Sequence, residues 1–149
     1  MLDEAIYNIP VYMDSKEKYS FEHTNPYVCG NYGLPLAEIP AEGSFKYVAE
    51  GDVIEVGRLR FEVIETPGHS VGGLCFLERN EKVMFSGDTL FAGTVGRTDM
   101  RGGDFTVLKE SLKKIIEIID DNPQVLPGHN HFSTLDQEKM QNPYLKNLR

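Results

Sequence analysis

Apolar positions along this chain change their period several times, and each change marks an element. Leu2, Ala5, Ile6 and Ile9 fall at helical spacing and lead into the β-prone Pro10-Val11-Tyr12-Met13. The pattern predicts the last turns of a helix, then a strand. Asp14 or Ser15 offers a cap for a short helix after it. Over residues 22–49 no period survives among many Asn, Gly, Pro and Tyr, so a long loop is expected. Alternation returns in residues 52–56 and, after Gly57, at Leu59, Phe61 and Val63, which predicts a hairpin. Two apolar strands follow, Gly73-Leu74-Cys75-Phe76-Leu77-Glu78 and Lys82-Val83-Met84-Phe85, joined by the turn-like Arg79-Asn80-Glu81.

Residues 93–104 hold Gly93, Gly96, Gly102 and Gly103, a density that opposes any regular element. Val107, Leu108, Leu112, Ile115, Ile116 and Ile119 then form one stripe and predict a helix over 105–121, stopped by Asn122-Pro123. Residues 124–128 read as a short strand, and Thr134 with Gln137 opens a final capped helix. Hairpins followed by strands and a helix imply a mixed α/β fold with a layered sheet.

The chain has 149 residues, 40% hydrophobic and 26% charged, which suits one globular domain over 1–149. No apolar run approaches the ~18 residues that a membrane span requires. The first residues lack a basic start and a long apolar core, so no secretory signal is expected and the cytoplasm is the default. Cys75 sits in an apolar run and reads as a core thiol; no paired cysteine motif suggests a structural metal or a disulfide framework. The net charge of −8 repels a phosphate backbone, and the basic cluster Lys109, Lys113 and Lys114 is interleaved with Glu110 and Glu117. Nucleic acid and membrane are therefore excluded as expected partners.

Three segments carry chemistry: Thr66-Pro67-Gly68-His69, Ser86-Gly87-Asp88-Thr89 and Leu126-Pro127-Gly128-His129. Each places an imidazole or a carboxylate just after a strand and beside a glycine. A strand end is rigid, a glycine permits a sharp turn, and the next side chain is aimed over the sheet rim. Imidazole and carboxylate are the ligands of zinc or iron in open sites.

In this order the three segments resemble the metallo-β-lactamase superfamily, and within it the glyoxalase II (hydroxyacylglutathione hydrolase) branch. His69, followed by Gly72-Gly73, is similar to that family's third histidine motif, Asp88 to its bridging aspartate and His129 to its final histidine. Residues 95–104 and 138–145 resemble a loop and a tail of its small bacterial members, so the resemblance spans at least residues 52–145. It implies a four-layer αββα sandwich, N-terminally incomplete, with this chain forming about two thirds of the usual fold. It also implies two metal ions, zinc or alternatively iron, with His69 on the first, His129 on the second and Asp88 as the bridge and the catalytic carboxylate. The implied reaction is attack of a deprotonated water on a small thioester or ester, without a protein nucleophile.

The chain departs from that family at one place: the HxHxDH motif that supplies the other ligands is absent, and His23 is the sole histidine before His69. A shortened chain or a start assigned downstream of the true one is the expected explanation. His23 and His131 read as bystanders. Arg97 and Asp99 either pair to shape the glycine-rich loop or meet an anionic substrate, and Lys139 and Tyr144 are substrate candidates by position. The alternatives are an iron-dependent persulfide dioxygenase and an inactive remnant that serves as a binding domain. A β-lactamase is disfavoured because the export signal is lacking. Missing N-terminal strands would leave an unpaired apolar edge, so homo-oligomerisation is expected as the remedy.

Overall fold

The computed structural model describes residues 9–36, 42–146 and 148. Leu2, Ala5 and Ile6 of the opening helical pattern lie outside them, and Ile9 stands exposed just before the first strand. β1 (Val11–Met13) pairs in parallel with β2 (Phe45–Tyr47). Asp14 caps the 3-10 turn Ser15–Glu17 by accepting from the Lys16 amide, as its position suggests.

The expected loop over 22–49 is partly wrong. Ser20–Thr24 forms a π-turn that runs into helix α1 (Asn25–Tyr32), and Gly33 ends it at φ 62°. This helix buries only Cys29, so no apolar stripe announced it. Tertiary contacts support it instead: the Thr24 hydroxyl donates to the Arg101 carbonyl, and the Arg101 guanidinium lies over the Tyr27 ring.

The hairpin strands β3 (Val53–Val56) and β4 (Leu59–Glu65) continue into β5 (Leu74–Glu78) and β6 (Val83–Gly87) as an antiparallel meander. A two-residue pair, β7 (Leu90–Phe91) with β8 (Thr94–Val95), intrudes on the expected glycine-rich loop. Helix α2 (Phe105–Ile118) then crosses over to β9 (Gln124–Pro127), which lies parallel to β6, and β10 (Ser133–Thr134) closes the sheet. The six strands run β10-β9-β6-β5-β4-β3. Helices α3 (Leu135–Gln141) and α4 (Pro143–Lys146) end the described chain, α3 capped by the Thr134 hydroxyl accepting from the Gln137 amide. Among the described residues no helix is long and apolar enough to cross a membrane.

Helix α2 starts at Asp104, whose carboxylate accepts from the Thr106 and Val107 amides. It stops at Ile118, three residues before the expected end. Asp120 and Asp121 follow, and acidic side chains are unfavourable at the negative end of a helix dipole. Ile119 leaves the helix in an extended conformation and still reaches the core. Leu108, Leu112, Ile115 and Ile119 pack on Ile64, Cys75, Leu77, Met84 and Val125, which share one face of the sheet. Val107, counted in the predicted stripe, is turned to solvent.

The opposite sheet face is apolar too. Ile54, Phe61, Phe76 and Phe85, with Tyr12 of β1 beside them, line a hollow of 260 Å³, and Phe85 keeps 43% of its surface exposed. β3 forms the sheet edge, where Val53 and Val56 are also exposed.

Candidate functional site

Three strand ends meet at one rim. Beyond β4 the chain turns sharply through Pro67 and Gly68 and passes over the start of α2. The Gly68 carbonyl accepts from the Asp104 amide, and the Ser111 hydroxyl donates to the Pro67 carbonyl. Gly68 sits at φ 133°, and a Cβ there would lie 2.3 Å from the Leu108 nitrogen, so only glycine fits. This crossing sets His69 on the rim.

Asp88 follows β6, where Gly87 turns at φ 49°. His129 follows β9, and the Gly128 amide donates to the Gly87 carbonyl, which ties the two loops together. A Cβ on Gly96 would stand 1.8 Å from the Asp88 carbonyl oxygen, and one on Gly128 would stand 2.6 Å from Asp88 Oδ1. Gly96 is required by the approach of the Asp88 backbone, whereas a side chain at Gly128 would push the Asp88 carboxylate aside.

The two imidazoles take opposite oxygens of one carboxylate. His69 Nε2 lies 3.5 Å from Asp88 Oδ2, and His129 Nε2 lies 3.5 Å from Asp88 Oδ1. The His69 Nδ1 is 2.8 Å from the Arg97 carbonyl. A carbonyl only accepts, so Nδ1 carries a proton, and in the neutral imidazole Nε2 is then the nitrogen that turns a lone pair toward Asp88. The Phe91 ring meets His129 edge-on, with centroids 6.0 Å apart.

His69, Asp88 and His129 line a cleft of 550 Å³ together with Tyr12, Glu17 and Phe76. Among the described residues, Glu17 and Asp88 are its only formally charged lining residues, and both are acidic. Two imidazole nitrogens and a carboxylate, without a lysine or arginine opposite them, suit cations. Among the described residues no three His, Cys, Asp or Glu side chains surround a single point. The donors converge pairwise, one imidazole to each carboxylate oxygen.

Glu17 was not legible as a site residue. Its Oε2 accepts from the Ser70 hydroxyl at 2.9 Å and the Gly72 amide at 2.8 Å, and so fastens the loop that carries His69. Glu138 and Asn142 are a second discovery, both buried. The Glu138 carboxylate accepts from the Gly93 amide and from Asn142 Nδ2, and that same amide group donates to the Thr94 carbonyl. Helix α3 and its cap residue Asn142 thereby hold the β7–β8 turn.

Arg97 and Asp99 form a bidentate ion pair, with contacts of 2.6 and 2.8 Å. Each stabilises the charge of the other, so the guanidinium is pushed above and the carboxyl below its ordinary value. Neither lines the cleft; it is the Arg97 backbone carbonyl that reaches the site. Lys139 donates to the Ile119 carbonyl at the end of α2, and the Tyr144 ring meets Phe105 edge-on. Both stand outside the cleft lining. His131 is exposed, and His23 stacks on Tyr19 in the π-turn rather than in a loop.

Cys75 is buried beneath the rim, and burial pushes its thiol up to about 11. The folded protein therefore keeps a proton that the unfolded chain releases near its ordinary value of 9.0. This contribution to stability is complete below pH 9 and falls as pH rises toward 11, by about 2–3 kcal/mol. Urea midpoints at pH 8 and pH 11 check it: the fall should be smaller in Cys75→Ala by that amount, and an equal fall in both proteins would refute it.

The family model for the metallo-beta-lactamase superfamily matches residues 5–131. Hydroxyacylglutathione hydrolase GloC of Haemophilus influenzae is 33% identical over 132 residues, covering 89% of this chain and 61% of that protein. The crystal structure of BLEG-1, a B3 metallo-beta-lactamase, superposes with a TM-score of 0.83 at 34% identity, covering 97% of this chain and 68% of that one. TTHA1623, solved in a di-iron-bound form, superposes with a TM-score of 0.78 at 31% identity, covering 95% of this chain and 68% of that one. The chain spans 61–67% of the length of the first curated relatives it matches.

Proposed function

Because the chain belongs to the metallo-β-lactamase superfamily, we propose that it carries half or more of a metal-dependent hydrolase of the glyoxalase II type, acting in the cytoplasm on a small thioester or ester such as a hydroxyacylglutathione. The observation that supports this most is Asp88 held between two imidazole nitrogens, one facing each carboxylate oxygen. In this reading His69 and Asp88 hold one cation, Asp88 and His129 the other, and zinc is the first candidate with iron as the alternative. Bound cations would supply Lewis-acid chemistry, polarising the carbonyl and bringing the pKa of a bound water close to ~7.

The chain's own part is preparation. The Arg97 carbonyl holds His69 in the tautomer that leaves Nε2 free. Glycines at 96 and 128 let the loops close around Asp88 without a gap. Met13, Leu74 and Phe76 provide an apolar wall for an acyl group. In this reading water is the nucleophile, while the Ser70 and Thr89 hydroxyls of the cleft are hydrogen-bonded to Glu17 and Thr66.

The test is zinc binding by equilibrium dialysis, followed by hydrolysis of a hydroxyacylglutathione. We expect zinc-dependent cleavage that a chelator removes and added zinc restores. A chain that retains no cation and leaves the thioester intact is the remnant instead. Oxygen consumption with iron and a persulfide would replace the hydrolase with the dioxygenase reading.

A further inference from the structure

Beneath the rim, the otherwise aliphatic core holds a polar seam. Thr66, Cys75 and Ser86 are 0% exposed and Thr89 is 2% exposed. Thr66 Oγ1 lies 2.9 Å from Thr89 Oγ1 and 3.5 Å from Cys75 Sγ. The Cys75 thiol donates to the Ser86 carbonyl at 3.7 Å, and the Ser86 hydroxyl donates to the Leu90 carbonyl at 2.7 Å. Each of these groups has one proton to give. With those of Cys75 and Ser86 committed to carbonyls, one threonine hydroxyl donates to the other, and the sulfur lone pairs remain as an acceptor for the second.

Stability alone does not call for this seam. A buried hydrogen bond contributes little net free energy, and an apolar pair of the same shape serves about as well. What a hydrogen bond adds over an aliphatic contact is a defined separation. The separation here is between two particular loops: Thr66 stands three residues before His69, and Thr89 is the residue after Asp88. Among the described residues no hydrogen bond joins the Asp88 loop to the His69 loop more directly, apart from the side chains of the site themselves.

We propose that the Thr66–Thr89 hydroxyl pair, backed by Cys75, is the positioning device that sets the distance from His69 to Asp88. The two threonines touch no substrate and no cation; they act through the loops they join. This rests on the metal-site reading only for its cation-binding consequence, since the loop geometry exists without a cation.

The experiment uses the double variant Thr66→Val/Thr89→Val, which removes both hydroxyls together and leaves only the weak Cys75 sulfur acceptor without its donor, with Thr66→Ser/Thr89→Ser as the conservative control. Two readouts are taken: cobalt(II) affinity by optical titration, and amide hydrogen exchange without metal. We expect cobalt affinity to fall roughly 10-fold, the lower end of what supporting residues of metal ligands contribute, and to recover in the serine control. Exchange at Thr66, Gly68, Thr89 and Gly96, whose amides are hydrogen-bonded within the two loops, should accelerate while α2 and the β3–β4 hairpin stay as in the wild type. Unchanged exchange at those four amides, acceleration spread over the whole chain, or a cobalt affinity equal to wild type overturns the proposal. If the wild-type chain binds no cobalt, the metal-site reading fails, and the exchange pattern alone decides the positioning role. Should the double variant not fold, Thr89→Val is read by the same measurements.

Discussion

Asp88→Ala is expected to weaken zinc binding by more than about 100-fold, because residues that merely support metal ligands are already worth about 10–100-fold. Asp88 is the one side chain that both imidazoles face, Oδ2 toward His69 and Oδ1 toward His129. His69→Ala or His129→Ala leaves one donor pair intact, whereas Asp88→Ala leaves two isolated imidazoles. Asp88→Asn should be almost as damaging. It keeps the shape, but an NH2 group replaces one oxygen and turns its protons toward an imidazole. Folding stability should barely move, since the carboxylate stands in a cleft whose other formal charge, Glu17, has the same sign. Calorimetric zinc titration of the three alanine variants checks the order. If Asp88→Ala keeps affinity within a factor of about 10 of wild type, the bridging role is wrong.

The second large effect is on the fold. Gly68→Ala is expected to destabilise the protein by about 2–6 kcal/mol, the sum of a strained backbone and an overpacked contact. At φ 133° the new side chain sits where L-residues are rarely found, and its Cβ meets Leu108 backbone atoms at 2.3–2.4 Å. Leu108 belongs to α2 and to the core, so it has no freedom to retreat. The loop must lift instead, and His69 goes with it. Gly30 is the control: it lies in α1, and a Cβ there meets nothing within 4 Å. Gly30→Ala should be stabilising by about 0.4–1 kcal/mol. Equal urea midpoints for the two variants would show that the crossing over α2 is looser than its geometry implies.

The elements that could be read in advance share a cause. The hairpin of β3 and β4, the strands β5, β6 and β9, and helix α2 each bury one face, so burial imprints a period on the residues. Cys75 behaved as its apolar neighbours suggested, and it is fully buried. Helix α1 escaped because it buries almost nothing, and its supports, Arg101 among them, come from far along the chain. The early end of α2 was also hidden, since Ile119 keeps the apolar stripe going after the helix itself has stopped.

The site divides in the same way. His69, Asp88 and His129 were identifiable from sequence because each stands beside a glycine at the end of an apolar strand, a local signature. Their meeting on one carboxylate depended on the parallel pairing of β6 with β9, which brings residues about 40 apart to adjoining strand ends. Glu17 looks like part of a charged surface run, and only its contacts with Ser70 and Gly72, 53 and 55 residues later, reveal its use. For Arg97 two roles were open, and the structure shows its side chain paired with Asp99 while its carbonyl orients His69. Sequence by itself determined which side chains stand at the strand ends, because hydrophobic period and glycine placement are local properties. Tertiary structure alone decided which nitrogen faces which oxygen and what holds them apart, because those distances are set by hydrogen bonds and close backbone approaches between segments that no local pattern connects.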